Sequence, residues 1–273
     1  MKTLKLIYAL ALICITLLNS SWKYNEKGTT ITIKALEENV TPRLLKESAD
    51  IISLRLTTYG LDTFCLNINE NRGEIAITVP DKSNMEDVCQ LLTQKGVLTL
   101  YESYDRDEAK AFLNDGKFLD MFNHTDNQIG WISPADSVNV NHILHSQSIP
   151  DNLIFRWSVM NERFQISLFA LKREGNPLLI HSDFEEISFS DDGRINFTLK
   201  EENFKKWADA TVKNLNRSVA VLIDDKVISN PKVRQPIESG KFEISGNYSK
   251  RETGLIEALL SNEQLPLTFR VLR

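Results

Sequence analysis

The stretch Val219–Pro231, VAVLIDDKVISNP, says more about the fold than any other part of this sequence. Its first five residues are apolar and mostly β-branched, a pattern typical of a strand buried on both faces. Asp224-Asp225 interrupts the run, and Lys226–Ser229 begins a second strand that ends at Asn230-Pro231. Because aspartate tolerates positive φ, we predict a hairpin with its tight turn at this pair.

The segments around the hairpin repeat one order of elements. Upstream, apolar residues at helical spacing predict a helix over Phe204–Leu215 with Phe204, Trp207, Ala208, Thr211 and Leu215 on its inner stripe. The other elements of this half are strands at Ile195–Leu199, Lys241–Ser245 and Leu265–Val271, and a helix opened by the capping box Ser249–Glu252.

The first part of the chain has the same order. Its predicted elements are a strand over Thr29–Leu36, a helix beginning at Pro42 and ending near Gly60, a hairpin of Phe64–Ile68 with Glu74–Val79, a helix opened by the capping box Ser83–Glu86, and a strand over Val97–Tyr101. The sequence therefore predicts an α+β fold of two ferredoxin-like β-α-β-β-α-β halves that form one base sheet, with the helices on one face.

Several of these features together resemble the first periplasmic domain of SecD, an accessory subunit of the Sec protein-export machinery. They are the helix from Phe204 to Asn214, the hairpin, Ile244–Tyr248 and Leu265-Pro266-Leu267, with thinner support from Arg55, Gly60, Val79-Pro80 and Gly96-x-Leu98. The resemblance implies a base built from both ends of the chain and an inserted α+β head subdomain. We accordingly assign residues 29–104 and 187–273 to the base and residues 105–186 to the head.

Within the head, periodicity is weaker. It predicts helices over Ala109–Phe122 and Val138–Gln147 and a hairpin of Ile154–Met160 with Phe164–Leu171. Polar residues with Gly175 and Pro177 interrupt the pattern near Ser103–Asp107 and Leu171–Pro177. The resemblance implies that the head swings relative to the base at these junctions.

Three departures from the SecD pattern affect the expected function. The family's Asp-Leu-x-Gly-Gly segment has no counterpart in Asn25–Leu36, and Asp81 and Asp225 stand where glycines are usual. No apolar run of spanning length follows Leu18, so the family's bundle of membrane helices is not in this sequence. We therefore expect no proton-driven pumping by this chain alone.

The N-terminal residues 1–21 have the layout of an export signal. Lys2 and Lys5 precede the apolar run Leu6–Leu18, which is short for a membrane span. A cleaved signal is favoured, and an uncleaved anchor with Trp22 at the interface stays open, because the residues before the expected cut are not small. The expected location is periplasmic or extracytoplasmic, with attachment to the inner membrane only through this segment. Cys65 and Cys89, the cysteines beyond it, are expected to stay unpaired, because Cys65 alternates away from the inner face of its strand.

Charge and motifs disfavour several classes of function. The net charge is −5 without a basic block, which argues against nucleic-acid binding. We find no nucleophile motif and no phosphate-binding glycine loop, so no catalytic residue and no cofactor are assigned. His142 and His145 are spaced for one helix face, but two ligands are too few for a metal site. The acidic residues at 183–192 lack the spacing of a calcium loop.

The sequence thus favours a non-enzymatic binding module. Its expected partners are unfolded or translocating polypeptide or Sec and SecDF subunits; the alternative is an envelope-associated interaction protein that keeps the fold without an export role. The candidate polypeptide-binding residues are aromatic side chains of the head, namely Phe112, Phe118, Phe122, Trp131, Phe155 and Trp157. Most of these are expected to form the head's own core, with two or three exposed at most.

Overall fold

A computed structural model describes residues 28–113, 118–124, 128–173, 177–246 and 248–272. The expected signal or anchor at residues 1–21 lies outside this part of the chain. The helices are α1 (Pro42–Thr58), α2 (Met85–Thr93), α3 (Arg106–Lys110), α4 (Ser137–Ser146), α5 (Phe204–Lys213) and α6 (Lys250–Leu260). Within the described residues, no helix is long and apolar enough to span a membrane.

The strands form several sheets. They are β1 (Gly28–Ala35), β2 (Cys65–Asn69), β3 (Glu74–Pro80), β4 (Leu98–Tyr104), β5 (Gly130–Ile132), β6 (Leu153–Trp157), β7 (Ile166–Lys172), β8 (Leu179–Ile180), β9 (Phe184–Phe189), β10 (Ile195–Leu199), β11 (Val219–Ile223), β12 (Lys226–Ser229), β13 (Lys241–Ile244) and β14 (Phe269–Val271). One sheet has the order β14-β1-β3-β2 and another the order β13-β10-β9. A third follows β12-β11-β4-β7-β5, with β6 on β7 and β8 on β4.

The prediction of one base sheet is therefore wrong. The last strand of each predicted half leaves its own half: β14 pairs with β1, and β4 pairs with β11. The physical reason lies in β11, all five of whose residues are buried. A strand apolar on both faces must lie inside a sheet, and β4 and β12 are its neighbours. The specific ferredoxin-like halves are not reproduced, whereas the mixed α+β character is.

Two main cores explain how the chain is organised. The larger core joins both ends of the chain, because it combines residues of α1, α2, β1 and β3 with residues of β10, β11 and α6. The smaller core is built from residues 109–170. A third cluster lies between them and joins Phe169 and Leu171 of β7 to Ala220 and Leu222 of β11.

Local predictions near turns and caps are largely confirmed. Asp224 has φ 52°, as the tight turn after β11 requires. The Ser249 hydroxyl accepts from the Glu252 N–H in the predicted capping box. At α2, however, the cap is Asn84, whose side chain accepts from the N–H groups of Glu86 and Asp87. Asparagine caps a helix at least as well as serine, so Ser83 is left outside.

Some predicted elements are shorter than expected. Of the proposed helix 109–122 the structure has α3 and a 3₁₀ turn at Phe118–Met121, with residues 114–117 not described. Helix α5 ends at Lys213, and Leu215 is exposed rather than part of the inner stripe. The final strand is confined to Phe269–Val271, although Leu265 and Leu267 are buried as predicted.

A buried ion pair ties the two ends of the chain together. Asp87 of α2 is 1% exposed and accepts two bonds from Arg251 of α6, both 2.6 Å long. The Tyr59 hydroxyl, just after α1, also donates to Asp87. Burial and the bond to Asp87 raise the pKa of Tyr59 to about 12. The Asp87 carboxylate thereby links α2 to α6 and to the end of α1.

Candidate functional site

A groove of about 350 Å³ lies between the second and third sheets. Its floor is apolar and includes Trp207 of α5, Val219 and Val221 of β11, and Phe242 and Ile244 of β13. The segment Pro231–Gln235, which follows β12, also lines the groove. A volume of this size suits part of an extended chain or a small apolar ligand.

The floor of the groove is held by contacts between aromatic side chains. Trp207 is 3% exposed, and its ring centroid lies 4.8 Å from that of Phe242. Phe242 in turn stacks on Phe197 of β10 at 5.0 Å. The Trp207 Nε1 group is buried and has no hydrogen-bond partner among the described residues, so packing alone holds this indole.

Strand β13 lies at the edge of its sheet, directly beside the groove. The Leu199 N–H donates to the Gly240 carbonyl, and Phe197 and Phe242 are paired in the same register. Because bonded pairs alternate along an antiparallel ladder, the peptide groups of Lys241 and Glu243 face away from β10. The Lys241 peptide groups are bonded to the Ser239 hydroxyl, which leaves those of Glu243 open within the described part of the chain.

The rim of the groove carries positive charge. Lys232, Arg234 and Lys241 line it, are exposed, and form no ion pair with any residue that the structure describes. The one acidic residue in the lining, Glu243, is paired with Arg194 at 3.1 Å. The unpaired charge at this rim is therefore positive.

The sequence did not single out these rim residues. Lys232 and Arg234 belong to PKVRQP, between Pro231 and Pro236, which suggests only an irregular segment. These residues line the groove because long-range packing brings their segment close to β13. Trp207 was predicted to be buried and is, but its place in a groove floor was not foreseen.

The six predicted aromatic residues lie in or against the smaller core. Phe118 and Phe122 are buried, at 1% and 6% exposure, and pack edge to face. Phe112, Trp131, Phe155 and Trp157 are half-buried, and the Trp157 Nε1 donates to the Asn141 side chain. None of the six lines the groove.

The predicted histidine pair has few partners. His142 and His145 are exposed on α4, and the His145 ring is bonded to the Asn141 carbonyl. Across the described ranges, no group of three or more His, Cys, Asp or Glu side chains could hold a metal ion. Cys65 and Cys89 are both free, and Cys65 is exposed as its strand alternation predicts.

Ion pairs cross the predicted junction between base and head. Glu102 of β4 is 7% exposed and is bonded to Lys213 of α5 and Lys172 of β7. Glu108 of α3 accepts two bonds from Arg217, just after α5. Both chain crossings also lie side by side, because Ser103 pairs with Leu171 in the β4–β7 ladder; residues 174–176 of the second crossing are not described.

The electrostatics of this junction predict sensitivity to acid. Burial by itself raises the pKa values of Glu102 and Glu108, but the bonds from Lys213 and Arg217 outweigh it and hold both below the usual value. A carboxylate whose pKa is lowered by folding stabilises the fold above its unfolded pKa and loses that contribution as pH falls through the folded value. We expect the amide protection factors of β4 and β7, from which the pH-dependent intrinsic exchange rate has been divided out, to fall below about pH 4.5.

Two variants test the origin of this acid effect. Glu102→Gln should lower the protection factors of β4 and β7 already at neutral pH and flatten their dependence on pH. Glu202→Gln, at an exposed position outside the junction, should leave the profile as in the parent. If Glu102→Gln keeps the full pH dependence, other groups cause it.

Comparison with known proteins adds family evidence to this geometry. A family model described as SecDF, P1 head subdomain, matches residues 179–267. The protein translocase subunit SecD of Acidaminococcus fermentans is 35% identical over 102 residues, which are 36% of this chain and 24% of that protein. SecD of Treponema pallidum is 24% identical over 255 residues, 86% of this chain and 41% of that protein. The chain is similar to SecD.

The fold agrees with that similarity. A crystal structure of SecDF in its super-membrane-facing form matches with a TM-score of 0.52 at 20% identity, over 100% of this chain and 35% of that one. The predicted resemblance to the SecD periplasmic domain is thus confirmed, and the chain spans less than half the length of these relatives.

The matched segment contains the groove. Every lining residue except Leu100 falls within residues 179–267. The same segment is the one assigned from the sequence mainly to the second half of the base. The family model and that assignment therefore differ on which part of the chain is named the head.

Proposed function

We propose that this SecD-like chain is an accessory factor of protein export that binds extended polypeptide outside the cytoplasm. The observation that carries the proposal is the apolar groove beside the open edge of β13. Extended polypeptide offers what such a site lacks, namely apolar side chains for the floor and backbone groups for the edge. The similarity to SecD, named as a protein translocase subunit, supports the same role.

The partners follow from that role. Translocating or unfolded polypeptide is the proposed ligand, and Sec or SecDF subunits are the proposed binding partners. The chain is proposed to be periplasmic, held at the inner membrane through residues 1–21 if that segment is retained. No catalytic step is proposed, because the groove holds no arrangement of nucleophile and base.

Motion between the two cores is the proposed mechanical element. We keep residues 105–186 as the head and propose that it moves relative to residues 29–104 and 187–273 about the crossings at Ser103 and Leu171. The ion pairs Glu102–Lys172 and Glu108–Arg217 cross this interface and would set how readily it opens. The half-buried head aromatics, Phe112, Trp131, Phe155 and Trp157, remain a second proposed contact surface for polypeptide.

A groove-filling variant tests the site. Gln235 is exposed and lines the groove, so Gln235→Trp should fill the groove without disturbing the core. With the purified chain and fluorescent, carboxymethylated α-lactalbumin as the unfolded probe, we expect Gln235→Trp to weaken binding about tenfold in anisotropy titrations. Gln264→Trp, exposed and outside the groove, is the matched control and should bind as the parent does.

The outcomes separate the alternatives. Unchanged binding by Gln235→Trp together with a loss in Trp131→Ala would move the site to the head aromatics. No binding of the unfolded probe by the parent chain would favour the envelope-associated interaction protein instead.

A further inference from the structure

We propose that the groove binds its polypeptide as an added β-strand along β13 and selects segments with acidic residues beside an apolar centre. This inference rests on the proposed polypeptide binding and adds its geometry and its sequence preference.

The first argument is the open backbone of β13. The N–H and C=O of Glu243 face away from β10 and are bonded to no described residue, while those of Phe242 and Ile244 are engaged in the β10 ladder. Exposed and unbonded peptide groups on an edge strand are a template for another chain. An extended segment in the groove would give Glu243 one donor and one acceptor.

The second argument is that the segment around Lys232, which also lines the groove, has open peptide groups as well. The Val219 N–H donates to the Pro231 carbonyl, and the Val233 N–H donates to the Arg217 carbonyl. In this pattern Lys232 and Ser218 form a non-bonded pair, so the peptide groups of Lys232 face away from residues 216–219. The groove lining therefore contains two residues with unengaged peptide groups, Glu243 and Lys232.

The third argument concerns side chains. Successive side chains of a strand point to opposite faces, so every second residue of an added strand would face the floor formed by Trp207, Val219 and Phe242. The intervening side chains would face solvent. The site therefore favours an alternating segment with apolar residues at every second position.

The charge preference follows from the rim. Lys232, Arg234 and Lys241 have no ion pairs among the described residues, whereas Glu243 is paired with Arg194, which also binds Asp192. Acidic side chains at either end of the bound segment would meet these cations. Because the pairs would be exposed, we expect a gain of about three- to fivefold at low salt that disappears as salt is raised.

Methylated peptides test strand addition. The parent probe is a fluorescent peptide in which valine and serine alternate between two aspartates at each end. One version is N-methylated at the valines and another at the serines, so that only one version blocks the amides facing β13. We expect both methylated versions to bind several-fold more weakly than the unmethylated parent peptide, because one removes the N–H that faces Glu243 and the other removes the N–H that faces Lys232.

Charge-reversed probes and variants test the rim. Replacing the aspartates by lysines should weaken binding, and Arg234→Glu, which leaves Lys232 and Lys241 in place, should reduce this preference. Lys46→Glu, at an exposed cation on α1, is the matched control and should leave the preference as in the parent.

Each result has one meaning. Binding of both methylated peptides as tight as that of the unmethylated parent peptide would overturn strand addition while leaving polypeptide binding intact. Equal binding of the acidic and lysine peptides, or an unchanged preference in Arg234→Glu, would overturn the charge preference. Failure of every peptide and of the unfolded protein probe would remove the proposed function itself.

Discussion

Trp207→Ala is expected to lower the free energy of unfolding by about 3–5 kcal/mol. The indole is 3% exposed and lies against Phe242, so its removal leaves a cavity under the groove floor. Its Nε1 has no hydrogen-bond partner within the described residues, and the loss is therefore one of packing. Urea denaturation at neutral pH measures the effect.

Two variants make this result interpretable. Trp207→Phe keeps an aromatic ring and loses no hydrogen bond, so it should cost about 1–2 kcal/mol. Val212→Ala removes an exposed apolar side chain from the same helix, at 59% exposure, and should lie within about 0.5 kcal/mol of the parent. A cost below about 1 kcal/mol for Trp207→Ala would contradict its position in the core.

The sequence predicted this residue's burial because the signal is local. Trp207 and Thr211 lie four residues apart, on one face of α5, and both are buried. The turn at Asp224 and the capping box at Ser249 depend on neighbouring residues in the same way. Burial of β11 on both faces was likewise visible in its five apolar residues.

Strand pairing was less predictable because it depends on distant segments. Nothing in Leu98–Tyr104 distinguishes a neighbour in its own half from β11, about 120 residues later, since antiparallel partners need only matching apolar faces. The groove has the same origin. It exists because Pro231–Gln235 and β13 come together around one cavity, and neither segment carries a periodic signal for that proximity.

Two of the residues that supported the resemblance to SecD have a structural role that the fold explains. Arg55 and Gly96 were both part of it, and they are in contact. A Cβ added to Gly96 would lie 2.7 Å from Arg55 Nη2 and 2.7 Å from the Leu259 carbonyl oxygen. Gly96 also has a φ angle of 81°, which residues with a side chain rarely adopt. Glycine at this position therefore leaves room for the arginine beside it.

Arg55 is 0% exposed and holds the end of α2 in place. Its guanidinium donates to the carbonyl oxygens of Gln94 at 2.5 Å and Lys95 at 2.7 Å, with longer bonds to Leu91 and Glu263. Burial lowers its pKa to about 10, so it stays charged at neutral pH. Carbonyls at a helix C-terminus are unsatisfied by the helix itself and carry partial negative charge, which suits a cation.

Arg55→Met is therefore expected to cost about 3–5 kcal/mol, because it preserves much of the apolar volume but leaves buried carbonyls without a donor. Arg55→Lys should recover part of that loss, since an ammonium group reaches fewer of these oxygens than the planar guanidinium. Arg43→Met, at an exposed position of α1, is the matched control and should be near neutral. Chemical denaturation measures all three, and a cost below about 1 kcal/mol for Arg55→Met would mean that water replaces the guanidinium and that α2 does not depend on this residue.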